Sequence, residues 1–442
     1  MKNIIKYILL YSTALFVLGC NKKLDTIPTA SIDAGSALTT SVDVKLALVG
    51  AYKDFGTADF FGGRIFLEGD LMAYGSEINW SGSYQELTQI NNHTIPVDNA
   101  FVANNWLAGY TAINDVNNVL SAIDVVDAAE KDKVEGESKF IRGASYFELV
   151  KKFAKSWNDG DPSANPGVPL VLTPTHSITE ESKVKRNTVA EVYAQVIKDL
   201  QDAEAKLPQS NGFFATQAAA AAMLARVYLQ QGDYANAAKE ADNAISTTDA
   251  TLAPGYADAF GVTSDEDIFA IQVTTATGTQ GFNEFYSESN RGDIQIMGAH
   301  LGLYDADDDR LNLFSQPDPD VYTLKFEEIY GNVHTIRLAE MYLVRAEANF
   351  RIGTSVGDKP VNDINVIRNR VKLPSFTAAE LTLAIILNER RLELAFEGFA
   401  LDDLKRLKGS LANLLWNSPK LIFPIPKREI LVNSNLTQNE GY

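Results

Sequence analysis

Two groups of aromatic side chains, set among Asn, Arg and Gly, are the residues of this 442-residue chain best suited to holding a ligand. Tyr74, Asn79, Trp80 and Tyr84 form the first; Phe282, Asn283, Phe285, Tyr286 and Arg291 form the second. An exposed aromatic face stacks on the apolar C–H face of a sugar ring, while nearby amide and guanidinium groups hydrogen-bond its hydroxyls. The same set anchors a peptide equally well, because Tyr and Trp are general interface anchors. Asn79, Trp80, Tyr84, Phe282, Phe285, Tyr286 and Arg291 are therefore the candidate ligand-binding residues, with Trp157 a lesser one. The competing reading is that these rings pack loops onto a scaffold. Trp106 and Trp416, on or beside helices, read as core.

Catalytic patterns fare worse. Gly353-Thr354-Ser355-Val356-Gly357 matches the G-x-S-x-G elbow, but that motif needs a strand before it and a histidine after it. Here a helix precedes it and no histidine follows His334. Asp305-Ala306-Asp307-Asp308-Asp309-Arg310 resembles a calcium loop, yet Arg310 stands where Gly is needed and Gln316 where the bidentate Glu belongs. A solvated turn with Arg310 pairing locally is the expectation. The four histidines are scattered and the single cysteine, Cys20, excludes an intrachain disulfide and a thiolate zinc site. The acids lie mostly on helix faces near Lys or Arg, as with Asp402 and Lys405, which is salt-bridge spacing. The chain is expected to be no enzyme and to need no metal or cofactor.

Charge narrows the partners. Lys plus Arg is 39 and Asp plus Glu is 57, so the net charge is 39 − 57 = −18. Such a surface repels phosphate backbones, so no nucleic acid is expected as a partner. At the N-terminus, Lys2 and Lys6 precede a short apolar run from Ile8 to Leu18, too short to span a bilayer, and then Gly19-Cys20. This is a secretion signal whose end resembles a bacterial lipobox, with Cys20 as the lipidated residue. Residues 1–19 are then the signal peptide, 20–36 the lipidated Cys and a tether, and 37–442 a single domain. Loss of Lys2 and Lys6 takes the charge to −18 − 2 = −20, so the acyl chains and not charge must hold the protein on a membrane.

The elements that must position these residues are mainly helices. Val192, Tyr193, Val196, Ile197, Leu200, Ala203 and Leu207 recur at steps of three and four before Pro208, which predicts a helix over 189–207. Gln217 to Gln231 is an alanine-rich helix, Gly232-Asp233 a tight turn, and Ala235 to Ser246 its partner. Leu224 to Leu229 with Gly232, Tyr234, Ala237 and Ala241 follows the tetratricopeptide pattern, and Leu338 to Ala348 begins a second copy. Further helices are expected over 42–52, 105–123, 131–153, 361–371, 381–396 and 402–408. Two helix-poor insertions, near 56–104 and 249–316, interrupt them, the second with a strand-like run Ile268 to Val273. Loops this long inside a helical protein are usually functional, and these two can meet on one face of the scaffold.

From Cys20 to Tyr442 the sequence resembles the SusD/RagB family of Bacteroidota outer-membrane lipoproteins. Among the carrying residues are Trp106, Tyr110, Ile113 and Asn114; Glu137, Phe140, Arg142 and Tyr146; and Gly167-Val168-Pro169-Leu170. The most specific runs are Arg337-Leu338-Ala339-Glu340-Met341-Tyr342-Leu343 with Arg345-Ala346-Glu347-Ala348, and Glu389-Arg390-Arg391 with Glu393-Leu394 and Phe396-Glu397-Gly398. Phe423-Pro424-Ile425-Pro426, Gln438-Asn439 and Gly441-Tyr442 close the likeness. It departs at Ala400-Leu401, where the family commonly has Arg or His and an aromatic. The resemblance implies a mainly α fold: a tetratricopeptide-like scaffold of about four helix pairs with an irregular, loop-rich lobe and few short strands. It also implies a non-catalytic role at the cell surface, capturing an oligosaccharide, or in some members a peptide, for a SusC-like TonB-dependent transporter. Arg390, Arg391 and Glu393 are then buried or inter-helix ion pairs. The family's binding residues lie in variable loops, so no motif transfers them here.

Overall fold

The computed structural model describes residues 37–316 and 319–442. Cys20 and the expected signal segment and tether, residues 1–36, lie outside the described residues. Helix α1 (Ser41–Phe55) leads into a first irregular stretch holding α2 (Arg64–Ala73), strand β1 (Ile78–Trp80) and α3 (Gln85–Asn91). The long helices α4 (Ala100–Ser121), α5 (Lys131–Phe153), α6 (Val189–Lys206), α7 (Gln217–Gln231) and α8 (Tyr234–Thr247) follow. A second irregular stretch carries β2 (Asp267–Ile271), α9 (Gly281–Tyr286), β3 (Ile294–Ile296), α10 (Gly298–Leu301) and β4 (Val333–Arg337). The chain ends with α11 (Leu338–Ile352), α12 (Pro360–Arg370), α13 (Leu383–Glu393), α14 (Ala400–Arg406), the hairpin of β5 (Ser410–Leu411) and β6 (Leu414–Leu415), and α15 (Lys427–Val432).

Local chemistry explains the scaffold helices. Thr188 caps α6 in a reciprocal box with Glu191, and the helix buries Val192, Tyr193, Val196, Leu200 and Ala203 on one stripe. Helix α7 is buried continuously from Ala218 to Leu229; its alanines let neighbours approach on every side, and Gly232 ends it at φ 75°. Each long helix packs on the next: α1 on α4, α4 on α5, and so on through α6, α7 and α8. Helix α8 then packs directly on α11, across the second irregular stretch, and α11 on α12. Taken as α1/α4, α5/α6, α7/α8 and α11/α12, these are four pairs, and the sheets among the described residues are all two-stranded. The mainly helical expectation is met.

The stretch over 56–104 is not helix-poor. Helix α2 runs through it with eight of its ten residues buried, including Glu68 and Asp70. A helix buried all round shows no polar face, so no 3.6-residue period marks it, and two acids break up its apolar run.

A buried ion network ties the second irregular stretch to α13. Arg337, at the end of β4, reaches Glu266 at 2.6 Å and Glu397 at 2.8 Å, and also Glu393 at 3.2 Å. Arg370 pairs with the same Glu266 and Glu393. Arg390 is likewise buried, on Asp403 at 2.9 Å, whereas Arg391 is half exposed and pairs with Glu77. Asp402 is not solvated: it is buried against Lys151 at 2.6 Å, which together with burial-opposing Lys152 holds its carboxyl near 2.

Candidate ligand-binding face

The two irregular stretches meet. Strand β1 pairs antiparallel with β3, Ile78 opposite Ile296, Asn79 opposite Gln295 and Trp80 opposite Ile294. Successive strand residues face opposite sides, so this pairing places Trp80 and Asn79 on different faces of the ribbon. Asn79 donates to Gln295 Oε1 at 2.6 Å, and Gln295 in turn donates to Asp320 at 2.9 Å. Asn79 therefore does not join Trp80 in a single site.

Three of the candidate aromatics are core. Phe282, Phe285 and Tyr286 are spaced i, i+3, i+4 on α9, and all three are buried. Phe282 stacks on Phe326 at 4.7 Å, and the Tyr286 hydroxyl donates to Asp70 at 3.2 Å. Neither ring has a face free for a sugar. Asn283 is buried as well, donating to the Phe326 carbonyl at 2.6 Å. Tyr74 is buried too, its hydroxyl accepting from the Phe396 amide. Trp157 is half-buried against Tyr193, and Trp416 is half-buried beyond the β5–β6 hairpin under Lys408, not in the core.

Phe285 is the hub of what remains. Its ring, fully buried, lies 5.9 Å from Tyr84, 6.0 Å from Trp80 and 6.5 Å from Phe101. These three partners reach the surface, Tyr84 with 38% of its area exposed. The Trp80 indole N–H donates to Thr88 Oγ1 at 2.8 Å, and the Thr88 hydroxyl donates to the Tyr84 backbone carbonyl at 2.9 Å, so the indole is oriented by a bond that is itself tied to the backbone beside Tyr84. Gly82 lies against the indole: a Cβ there would sit 2.4 Å from Trp80 Cζ2 and 2.8 Å from Asp293 Cγ. The Arg291 guanidinium lies over the Tyr84 ring at 4.6 Å, held by Asp293 at 2.6 Å.

A second cation completes the face. Arg64, the first residue of α2, lies over Phe101 at 5.4 Å and pairs with Asp59 at 2.5 Å and Glu284 at 2.8 Å. Burial would lower its pKa, but the bonds and charges of Glu284 and Asp59 outweigh this, and its Nε has no partner. Arg64, Asp59, Glu284 and Phe101 were not among the sequence candidates. Glu284 had a signal: read as a helix, the 282–286 run puts its rings inward and Glu284 outward. Arg64 and Phe101 had none, being brought together only by the packing of α2 and α4 on α9.

The arrangement offers rings for stacking and guanidinium N–H groups for hydroxyls. Its carboxylates are engaged, Asp59 and Glu284 on Arg64 and Asp293 on Arg291, so no pair stands ready for acid–base chemistry. Asp308, of the calcium-like run, is spent on Arg310 at 2.7 Å; the pair is local as expected, but buried, not solvated.

Comparison with known proteins places this geometry in context. A family described as "Starch-binding associating with outer membrane" matches residues 47–229, and one described as "SusD family" matches residues 314–420. SusD-like protein P2 of Formosa agariphila is 27% identical over 97% of this chain and 98% of its own. The solved structure of a Bacteroides vulgatus protein superposes with a TM-score of 0.84 at 27% identity, over 92% of this chain and 99% of that one. A SusD superfamily protein of Bacteroides thetaiotaomicron gives 0.81 at 25% identity, over 90% and 99%.

Proposed function

The chain belongs to the SusD/RagB family, and from that premise we propose that it is a cell-surface lipoprotein that captures an oligosaccharide and delivers it unchanged to a SusC-like TonB-dependent transporter. The observation that carries the ligand half of this reading is the face formed by Tyr84, Trp80 and Phe101 over Phe285, flanked by Arg64 and Arg291. A sugar ring stacks on an exposed ring edge-on to solvent, and its hydroxyls take the N–H groups that Arg291 and Arg64 do not spend on Asp293, Asp59 and Glu284. The Trp80 ring, held by its bond to Thr88, and the Tyr84 ring, packed between Phe101, Phe285 and Arg291, lose little freedom on binding, which favours recognition without a large closing motion. The anchor is the lipid on Cys20, and the body is not enzymatic.

Calorimetry of the mature protein, beginning after Cys20, against a panel of oligosaccharides and peptides tests this. The expected result is saturable binding of an oligosaccharide that is lost in Trp80→Ala and Tyr84→Ala without a change in thermal unfolding. A peptide that binds where no glycan does would replace the ligand class, and sugar products released by the purified protein would overturn the non-catalytic reading. Cys20→Ser should move the protein from the membrane to the soluble fraction.

A further inference from the structure

A separate cleft of about 430 Å³ lies between the end of α2, helices α13 and α14, and the β5–β6 hairpin. None of Trp80, Tyr84, Phe101, Arg64 or Arg291 lines it. One wall is apolar, built from Tyr74, Leu387, Leu394, Leu404, Leu407 and Leu411; Asn388, Ser410 and a set of charged side chains supply the rest, and the small side chains Ala384 and Ala400 leave its space open. The volume is that of a small-molecule site.

The polar groups of the cleft are unbalanced in one direction. Its two carboxylates are fully used. Glu77 takes His300 Nδ1 at 2.9 Å on one oxygen and Arg391 on the other. Asp403 takes Arg390 Nε at 2.9 Å and Arg406 Nε at 2.6 Å. Donors, by contrast, are left over. Arg390 is 3% exposed, and its Nη1 is buried without a partner. Arg391, half exposed at the rim, commits only Nη2. A buried donor without an acceptor carries a desolvation penalty that a bound acceptor removes. An acceptor that also carries charge forms the stronger, charge-assisted bond to a guanidinium.

We propose that this cleft is a second binding site, for a carboxylate borne on an apolar body: the head meets the uncommitted N–H groups of Arg391 at the rim, with the buried Arg390 guanidinium adding positive charge behind it, and the body lies on the leucine wall. A sugar is the poorer occupant, because most of its hydroxyls would face leucines, both carboxylates are already engaged, and only Asn388 and Ser410 offer further side-chain acceptors. A free organic acid and the C-terminus of an apolar peptide share the required chemistry.

Titration of the purified full-length chain with 4-phenylbutyrate and with N-acetyl-leucyl-leucine, each beside its uncharged partner (4-phenylbutanol and the dipeptide amide), tests the assignment and separates the two sources. At least one acid should saturate a single site about tenfold or more tighter than its neutral partner, the difference a charge-assisted bond supports. Arg391→Gln should weaken it by a similar factor, and Ala384→Trp, at an exposed position that leaves the fold intact, should abolish it by filling the cleft. The proposal is overturned if neither acid saturates, if the neutral partners bind as tightly, or if Ala384→Trp leaves binding unchanged in a variant with wild-type thermal unfolding.

Discussion

Tyr84 and Phe285 belong to one aromatic cluster, 5.9 Å apart, and their substitutions should fail in opposite ways. Tyr84→Ala removes an exposed ring and should weaken oligosaccharide binding by tenfold or more, with the thermal midpoint unchanged. Phe285→Ala empties the buried hub and should cost about 3–5 kcal/mol of stability, read in a urea titration. Equal losses of stability would make Tyr84 a packing residue and sink the site. The residue types of the face were visible in the sequence; their depth was not. A run such as Phe282-Asn283-Glu284-Phe285-Tyr286 looks like a loop rich in recognition side chains until its short helix is known, and only then do its rings fall on one buried stripe. Titration is a second matter of single residues. Burial pushes Glu68 up to about 8, with the Asn105 amide and Lys152 opposing it, and Asp70 up to about 7, against Lys152, the Gly398 amide and the Tyr286 hydroxyl. Asp59 adds to the rise at Glu68, Arg64 opposes it, and Glu397 adds to the rise at Asp70. Both pKa values are raised in the fold, so the stability these groups contribute is whole below about pH 4 and is lost as pH rises through 7 to 8. Glu68→Gln should match the wild type at pH 5 and exceed it at pH 8.5, by an amount on the order of 3 kcal/mol. Parallel melting profiles would show that Glu68 titrates normally.

At the scale of elements, α2 explains a glycine that the sequence only marks as part of Glu397-Gly398. Gly398 has φ 86°, and a Cβ on it would lie 2.4 Å from Phe66 Cβ and 3.0 Å from Phe66 Cα. Gly398→Ala is expected to cost more than about 2 kcal/mol, from the left-handed backbone and the collision with α2 together. Gly50→Ala supplies the contrast. Gly50 sits on an exposed turn of α1 with nothing within 4 Å of its Cβ, so the same change should stabilise by about 0.5–1 kcal/mol. A urea midpoint that moved alike in both would remove the packing argument. Val189–Lys206 was legible because one face is core and the period shows it, whereas Gln217–Gln231, buried nearly all round, was legible from its alanine run, the tetratricopeptide pattern and the turn at Gly232; Lys131–Phe153 and Gln217–Gln231 begin and end at the expected residues, and Pro360–Arg370 is shifted by one residue. Helix α2 has no solvent face either, and with Glu68 and Asp70 breaking its apolar run it carries no alanine run or repeat pattern to mark it in place of the period.

For the whole molecule, the four-pair scaffold followed from pattern and family likeness, whereas the way the lobe is fastened did not. That fastening depends on Arg337, which sits at the junction of β4 and α11 and holds Glu266, Glu393 and Glu397 from two other parts of the chain. Arg337→Leu strands those acids in the core and should cost about 3–5 kcal/mol. If the lobe and scaffold are one cooperative body, the loss should lower the midpoint of a single transition seen alike by near-UV and far-UV circular dichroism. Two separated transitions would instead show an independently folding lobe.

The β1–β3 ribbon also sets an order of events. Asn79 and Gln295 are bonded across 216 positions of sequence, and the Phe285 floor beneath Trp80 and Tyr84 comes from the same distant segment. Closing so long a loop follows the nearby helix–helix contacts and does not precede them. Trp80 and Tyr84 emerge early from the ribosome, with Thr88 and Phe101 close behind them, but lack the Phe285 floor until the chain has passed Ile296 and folded back. The candidate face is thus among the last features to mature, and a partly synthesised chain presents its two surface rings without the floor that would hold them.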